Sequence, residues 1–192
     1  MNSLKEIISR NFLSVLLKEV RATILLVLAI VLAYIYLMQY IDHAQQWVPY
    51  MIVLFALLKA FYFTFFTFSQ INKSIDSCRS FSQLLWTFGL LVFVVAFSFA
   101  TDFACLSEFD SDAFSHPLGS ADLNYLEKLF EYFYFSMVTF ASIGYGDVVP
   151  VTNFAKLLVM IEIGQSFVLV VFGLSNINNI QSRIKNNQDR NA

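Results

Sequence analysis

The hexapeptide Ser142-Ile143-Gly144-Tyr145-Gly146-Asp147 alternates glycine with larger residues, and that alternation has a chemical use. Glycine takes up backbone dihedrals that other residues avoid. A loop of this composition can therefore hold several carbonyl oxygens on one side, where they replace the water shell of a desolvated cation. Gly144 and Gly146 follow no strand and carry no phosphate-loop lysine, so they are not read as a nucleotide loop. No catalytic constellation, metal cluster or cofactor motif is visible, and the chain reads as a non-enzyme without cofactors or nucleic-acid partners.

The flanking residues say how such a loop would be held. Before it lies the apolar, aromatic run Tyr132 to Ala141, far short of the roughly 20 residues that cross a bilayer. After it, Pro150 and Thr152 lead into a full-length apolar segment from about Phe154 to Ile177. The order is a re-entrant helix, an extended filter and an inner helix. The re-entrant helix is expected to begin near Leu123 with Asp122 as its cap, Glu127 lying too far in for a capping box.

Residues 130 to about 175 resemble the pore module of the tetrameric potassium channels. That family's filter usually reads Thr-Val-Gly-Tyr-Gly-Asp after another threonine. Here Ala141 and Ser142 stand for the two threonines, and Ile143 for valine. The resemblance implies direct K+ contacts from Ser142, Ile143, Gly144 and Tyr145. It implies that Gly146 and Asp147 hold the outer mouth, with Asp147 bonding back to the pore helix at Tyr134, and that Thr139 supports the filter from behind.

Composition agrees with a membrane setting. Of 192 residues 58% are hydrophobic and 17% aromatic, and mean hydropathy is +0.64, too apolar for an ordinary soluble domain of this size. Spans are expected near residues 22–41, 48–70, 83–103 and 154–177, each helical because lipid cannot satisfy open backbone groups. The fold class is thus an all-α membrane protein: four transmembrane helices plus a re-entrant pore helix and filter. With one filter per chain, the lipid-embedded assembly is expected to be a homotetramer.

Nine of the twelve Lys and Arg residues flank the spans on one side, which the positive-inside rule makes the cytoplasm, with both termini inside the cell membrane. Asp42, Asp102, Glu108, Asp110, Asp112, Asp122, Glu127, Glu131 and Asp147 are assigned to the opposite face. The chain divides into a cytoplasmic interfacial amphipathic helix (1–21), two N-terminal transmembrane helices with a cytoplasmic loop (22–82), the pore module (83–178) and a short cytoplasmic tail (179–192). Within the pore module, residues 107–123 read as an external turret. Cys78 and Cys105 fall on opposite sides and cannot pair within one subunit, and His43 and His116 stand singly in outside loops.

Lys59 and Glu162 lie at mid-span, where a charge costs several kcal/mol unless paired or neutralised. Glu162 is expected to bond behind the filter or to the pore helix, near Thr139 or Ser142, with a direct Lys59–Glu162 pair as the second option. Gly164 and Gly173 bracket Ser166 at the place where many relatives carry a flexible inner-helix glycine; Gly164 is open between hinge and packing, and Gly173 is read as packing. No helix carries the repeated basic residues of a voltage sensor. The leading expectation is a passive potassium channel. A weakly selective cation channel is the alternative, or a non-conducting sensor or accessory subunit working with an unidentified partner.

Overall fold

The computed structural model describes residues 25, 29, 36, 47–77, 81–115 and 124–189. The chain forms two units, 1–40 and 41–192. In the first, Leu25, Ala29 and Tyr36 are helical and exposed. The expected interfacial helix, nearly all of the first span, Cys78, His43, His116 and Asp122 lie outside the described residues.

The second unit begins with α1, Val48–Ser77, which carries Pro49 in its first turn, where a missing N–H breaks no helical bond. Helix α2 is Phe81–Phe109 and α3 is Tyr125–Phe140. Helix α4 is Asn153–Asp189. Three stretches are long and apolar enough to cross a membrane: Val48–Phe65, Phe88–Phe109 and Asn153–Val171. The 16 residues of α3 reach only about 24 Å at ~1.5 Å per residue, too short to span. The 37 residues of α4 reach about 55 Å, so the helix outlasts its apolar stretch and continues through the segment expected as a tail.

Helix α2 is the most enclosed and packs against α1, α3 and α4. Val95, Phe99, Phe103 and Leu106 recur on its buried side at helical spacing. Helix α1 packs chiefly on α4. A two-residue strand, β1 (Phe114–Ser115), pairs antiparallel with β2 (Val149–Pro150), matching Phe114 with Pro150 and Ser115 with Val149. The Val151 N–H adds a 2.8 Å bond to the Ala113 carbonyl. The turret thus starts after Phe109 and is stitched to the residues on the far side of the filter.

Two sequence expectations need correction. Helix α3 starts at Tyr125 with Asn124 as its cap, and Glu127 therefore occupies the third helical position. From there its carboxylate accepts the Asn124 backbone N–H at 2.9 Å, the reciprocal arm of a capping box. A start two residues earlier, at Leu123, is what makes Glu127 look too deep. Asp102, assigned by its place near a span's end to the outer face, is fully buried on α2. Its burial is possible because the Lys59 ammonium meets it there.

Candidate functional site

The expected filter begins where α3 ends, and the way the helix closes sets the backbone of that hexapeptide. The Ser142 N–H donates to the Thr139 carbonyl at 2.9 Å, and the Ile143 N–H to the Val138 carbonyl at 3.0 Å. With Ala141 as the C-cap, these are the two bonds of a Schellman motif, which requires a left-handed residue just past the cap. Ser142 supplies it with φ 55°. Gly144 comes next at φ 61° and Gly146 at φ 80°, and no other described residue has positive φ. Handedness therefore alternates residue by residue from Ser142 to Gly146. A β-strand, by contrast, keeps one hand throughout and sends successive side chains to opposite faces. Alternating hand is a backbone that can turn successive carbonyls one way. Residues 141–146 are all exposed within the single chain.

The outer end is held from two directions. The Asp147 carboxylate accepts the Val148 backbone N–H at 3.0 Å. It also accepts the Tyr134 phenol, which raises the pKa of that phenol because ionisation would break the bond and set two anions together. Behind this contact, Phe103, Phe114, Tyr132 and Phe135 form one aromatic cluster, with Phe114 and Tyr132 ring centres 5.1 Å apart and Phe103 and Phe135 also 5.1 Å apart. The cluster joins α2, β1 and the pore helix α3, so the turret strand packs directly behind the helix that carries the filter. Glu108 at the end of α2 also pairs with Lys128 of α3 at 2.8 Å.

Residues 111–182, from the turret through the filter and well into α4, match the family described as "Ion channel". This segment is thus similar to ion channels. Over 96 residues, half of the chain, the sequence is also 30% identical to the Arabidopsis thaliana protein named two-pore potassium channel 4. The match covers 31% of that relative, so the chain spans about a third of the relative's length. No solved structure matches the chain significantly. With three helices long and apolar enough to cross a membrane, one of them inside the matched segment, the chain is a multi-pass, helical membrane protein.

Around the ion-channel segment the intramembrane polar residues find specific partners. Lys59 of α1 binds Asp102 of α2 through Nζ at 2.5 and 2.6 Å, reaches the Ser98 carbonyl at 3.3 Å and lies 6.0 Å from the Phe99 ring centre. The expected alternative, a Lys59–Glu162 pair, is replaced by this one. Glu162 of α4 instead bonds to the Ser136 hydroxyl of the pore helix, rather than at Thr139 or Ser142. Ser136 also reaches the Ala96 carbonyl of α2 at 2.8 Å. Thr139 is buried on the same face of α3 and contributes its carbonyl to the helix end. Thr64 of α1 donates to Gln165 of α4 at 2.9 Å.

The inner-helix positions separate by environment. Ser166 turns its hydroxyl back to the Ile163 carbonyl of its own helix at 2.8 Å, a bond that often bends helices. A Cβ on Gly173 would meet the Phe88 ring at 2.6 Å, so glycine here permits the close approach of α2 and α4. A Cβ on Gly164 would meet nothing within 4 Å. Gly164 opens instead on a groove of about 230 Å³ between α1 and α4, walled by Leu57, Phe61 and Met160. Among the described residues no group of His, Cys, Asp or Glu is placed to hold a metal ion, and Cys105 is a buried free thiol.

Sequence reasoning gave Ser136 no role and placed Asp102 only among the acids of the outer face. For Ser136 the signal is present: it lies four residues after Tyr132 and three before Thr139, on the helical face that is buried. For Asp102 the partner is 43 residues away in sequence, and no local pattern joins them.

Proposed function

We propose that this chain is one subunit of a homotetrameric, potassium-selective channel. K+ passes passively along an axis lined by the carbonyls of Ser142, Ile143, Gly144 and Tyr145. Gly146 and Asp147 hold the outer mouth, and both termini lie in the cytoplasm of a cell membrane, as the distribution of Lys and Arg favours. The observation that carries this reading is the alternation of backbone hand at Ser142, Gly144 and Gly146 within a segment of ion-channel family. Potassium as the permeant ion draws support from the filter sequence and from the relative's name.

A row of partly negative oxygens on a pre-set backbone replaces the hydration shell of a cation without bond making. The chain must supply rigidity of that backbone. The Schellman closure fixes the inner end, while the Asp147–Tyr134 contact and the β1–β2 ribbon fix the outer one.

The test is flux from purified protein in liposomes under K+ and Na+ gradients, with Gly144→Ala as the comparison. A Cβ at Gly144 meets no neighbour within its own subunit, where its effect would come from the left-handed φ of 61°. A penalty on the order of 1–3 kcal/mol should lower selective flux roughly tenfold or more. Equal Na+ and K+ flux would support a weakly selective channel, for which Ala141 and Ser142 are the departures to blame. No flux from a folded tetramer would count against autonomous conduction and support the accessory-subunit reading.

A further inference from the structure

Ser136 holds one hydroxyl proton and lies within hydrogen-bond reach of two oxygens, the Ala96 carbonyl at 2.8 Å and Glu162 Oε1. A carbonyl can only accept. If Glu162 were a carboxylate it too could only accept, and one of the two contacts would set lone pairs against each other without a proton between them. Both contacts are bonds only if Glu162 brings a proton of its own.

The surroundings agree. Glu162 is 0% exposed, and its other oxygen, Oε2, has no hydrogen-bond partner among the described residues. A carboxylate here would be a buried charge with one oxygen bare, which is far more costly than a neutral acid with one unsatisfied carbonyl. Among the described residues, Lys59 on α1 is held by Asp102 on α2, and the pore helix meets Glu162 with the Ser136 hydroxyl. The thiol of Cys105 is the other titratable group buried on α2.

We infer that Glu162 works as a neutral carboxylic acid that donates to Ser136, which in turn donates to the Ala96 carbonyl. The relay ties the inner helix α4, the pore helix α3 and the outer helix α2 at one point. Ser136 precedes the Schellman closure at Thr139–Ile143 by less than one helical turn. Glu162 is thus a positioning residue for the filter: its proton fixes the rotation of the helix from which the filter hangs. The inference rests on the channel reading for its functional consequence, but the protonation state stands on its own geometry.

Infrared spectroscopy of the full chain in lipid tests it whether or not the protein conducts. At neutral pH we expect a protonated-carboxyl C=O band that is absent from Glu162→Gln and moves to higher frequency in Ser136→Ala, where the acid loses its acceptor. Should Glu162→Gln fail to fold, selective 13C labelling of glutamate in the native chain and in Ser136→Ala gives the same assignment. A spectrum holding only ionised glutamate at neutral pH would overturn the inference, as would a glutamic-acid band indifferent to Ser136→Ala. In flux, Glu162→Ala is expected to lose about tenfold of K+ over Na+ selectivity, the scale of one buried hydrogen bond. Glu162→Gln, whose amide N–H can replace the donor, should recover most of that loss. Equal loss in both variants would reject the donor role while leaving conduction by the native chain untouched.

Discussion

Ser142 carries the sharpest local tension in the protein. The residue after a helix cap in a Schellman motif is usually glycine, because a side chain in the left-handed region costs about 1 kcal/mol. Serine at φ 55° bears that cost, whereas a β-branched side chain there would be a steric outlier. This gives a physical reason for serine at a position where the potassium-channel pores resembled by this filter carry threonine. Ser142→Gly is expected to raise stability by about 1 kcal/mol and Ser142→Thr to lower it by a similar amount, read from thermal unfolding of the purified protein. A more stable Ser142→Thr would mean that the left-handed closure is not the native state of the filter. The hexapeptide is legible in the sequence because glycine spacing is itself a statement about backbone. The hand of Ser142 is not, since nothing in a serine's identity reveals that the Thr139 and Val138 carbonyls are closed by bonds from Ser142 and Ile143.

At the scale of helices, the pair Lys59–Asp102 joins α1, which lies outside the matched family segment, to α2, which packs behind the pore helix. Both side chains are almost wholly buried, at 5% and 0% exposure, so neither charge can turn to water if the other is removed. Breaking such a pair costs about 3–5 kcal/mol, while replacing both partners with apolar residues often costs little. Lys59→Met and Asp102→Leu are therefore each expected to destabilise by about that amount, and the double variant to recover most of it. Additive losses in thermal or denaturant unfolding would show that the two residues act through other contacts. Helix existence is readable from apolar length, and α1, α2 and α4 appear near their expected places. Their pairing is not readable, because a mid-span lysine announces only that some partner exists. Asp102, near the end of an apolar run, looks in the sequence like one more acid of the outer loops. The cap of α3 is misplaced for a related reason: with Asp122 and Asn124 two residues apart, either could start the helix until Glu127 is seen reaching back to the Asn124 N–H.

For the whole molecule, the decisive feature is the uncovered backbone of the proposed filter. A non-helical backbone at membrane depth is tolerated only where protein buries it or water lines it, since lipid satisfies none of its polar groups. Residues 141–146 are exposed in the single chain, and so are the large apolar side chains of Phe130 on α3 (73%) and Phe167 on α4 (70%). In the proposed channel, copies of the chain would enclose the axis by a rotation that closes a ring. Lipid could cover the apolar side chains, but not the backbone of the proposed filter. The two coverings predict different outcomes for truncation. Against lipid, Phe130→Ala removes no packing partner, because hydrocarbon tails are as apolar as the ring. Against a neighbouring subunit it removes a buried anchor worth about 2 kcal/mol at each contact. Native mass spectrometry of the detergent-solubilised protein should show four copies for the native chain. For Phe130→Ala and Phe167→Ala it should show the tetramer depleted by about 30-fold or more in favour of smaller species. Full retention of the tetramer in both variants would place these side chains against lipid and move the subunit contact elsewhere, while a native species of any number other than four would remove the fourfold axis on which the proposed ion path depends.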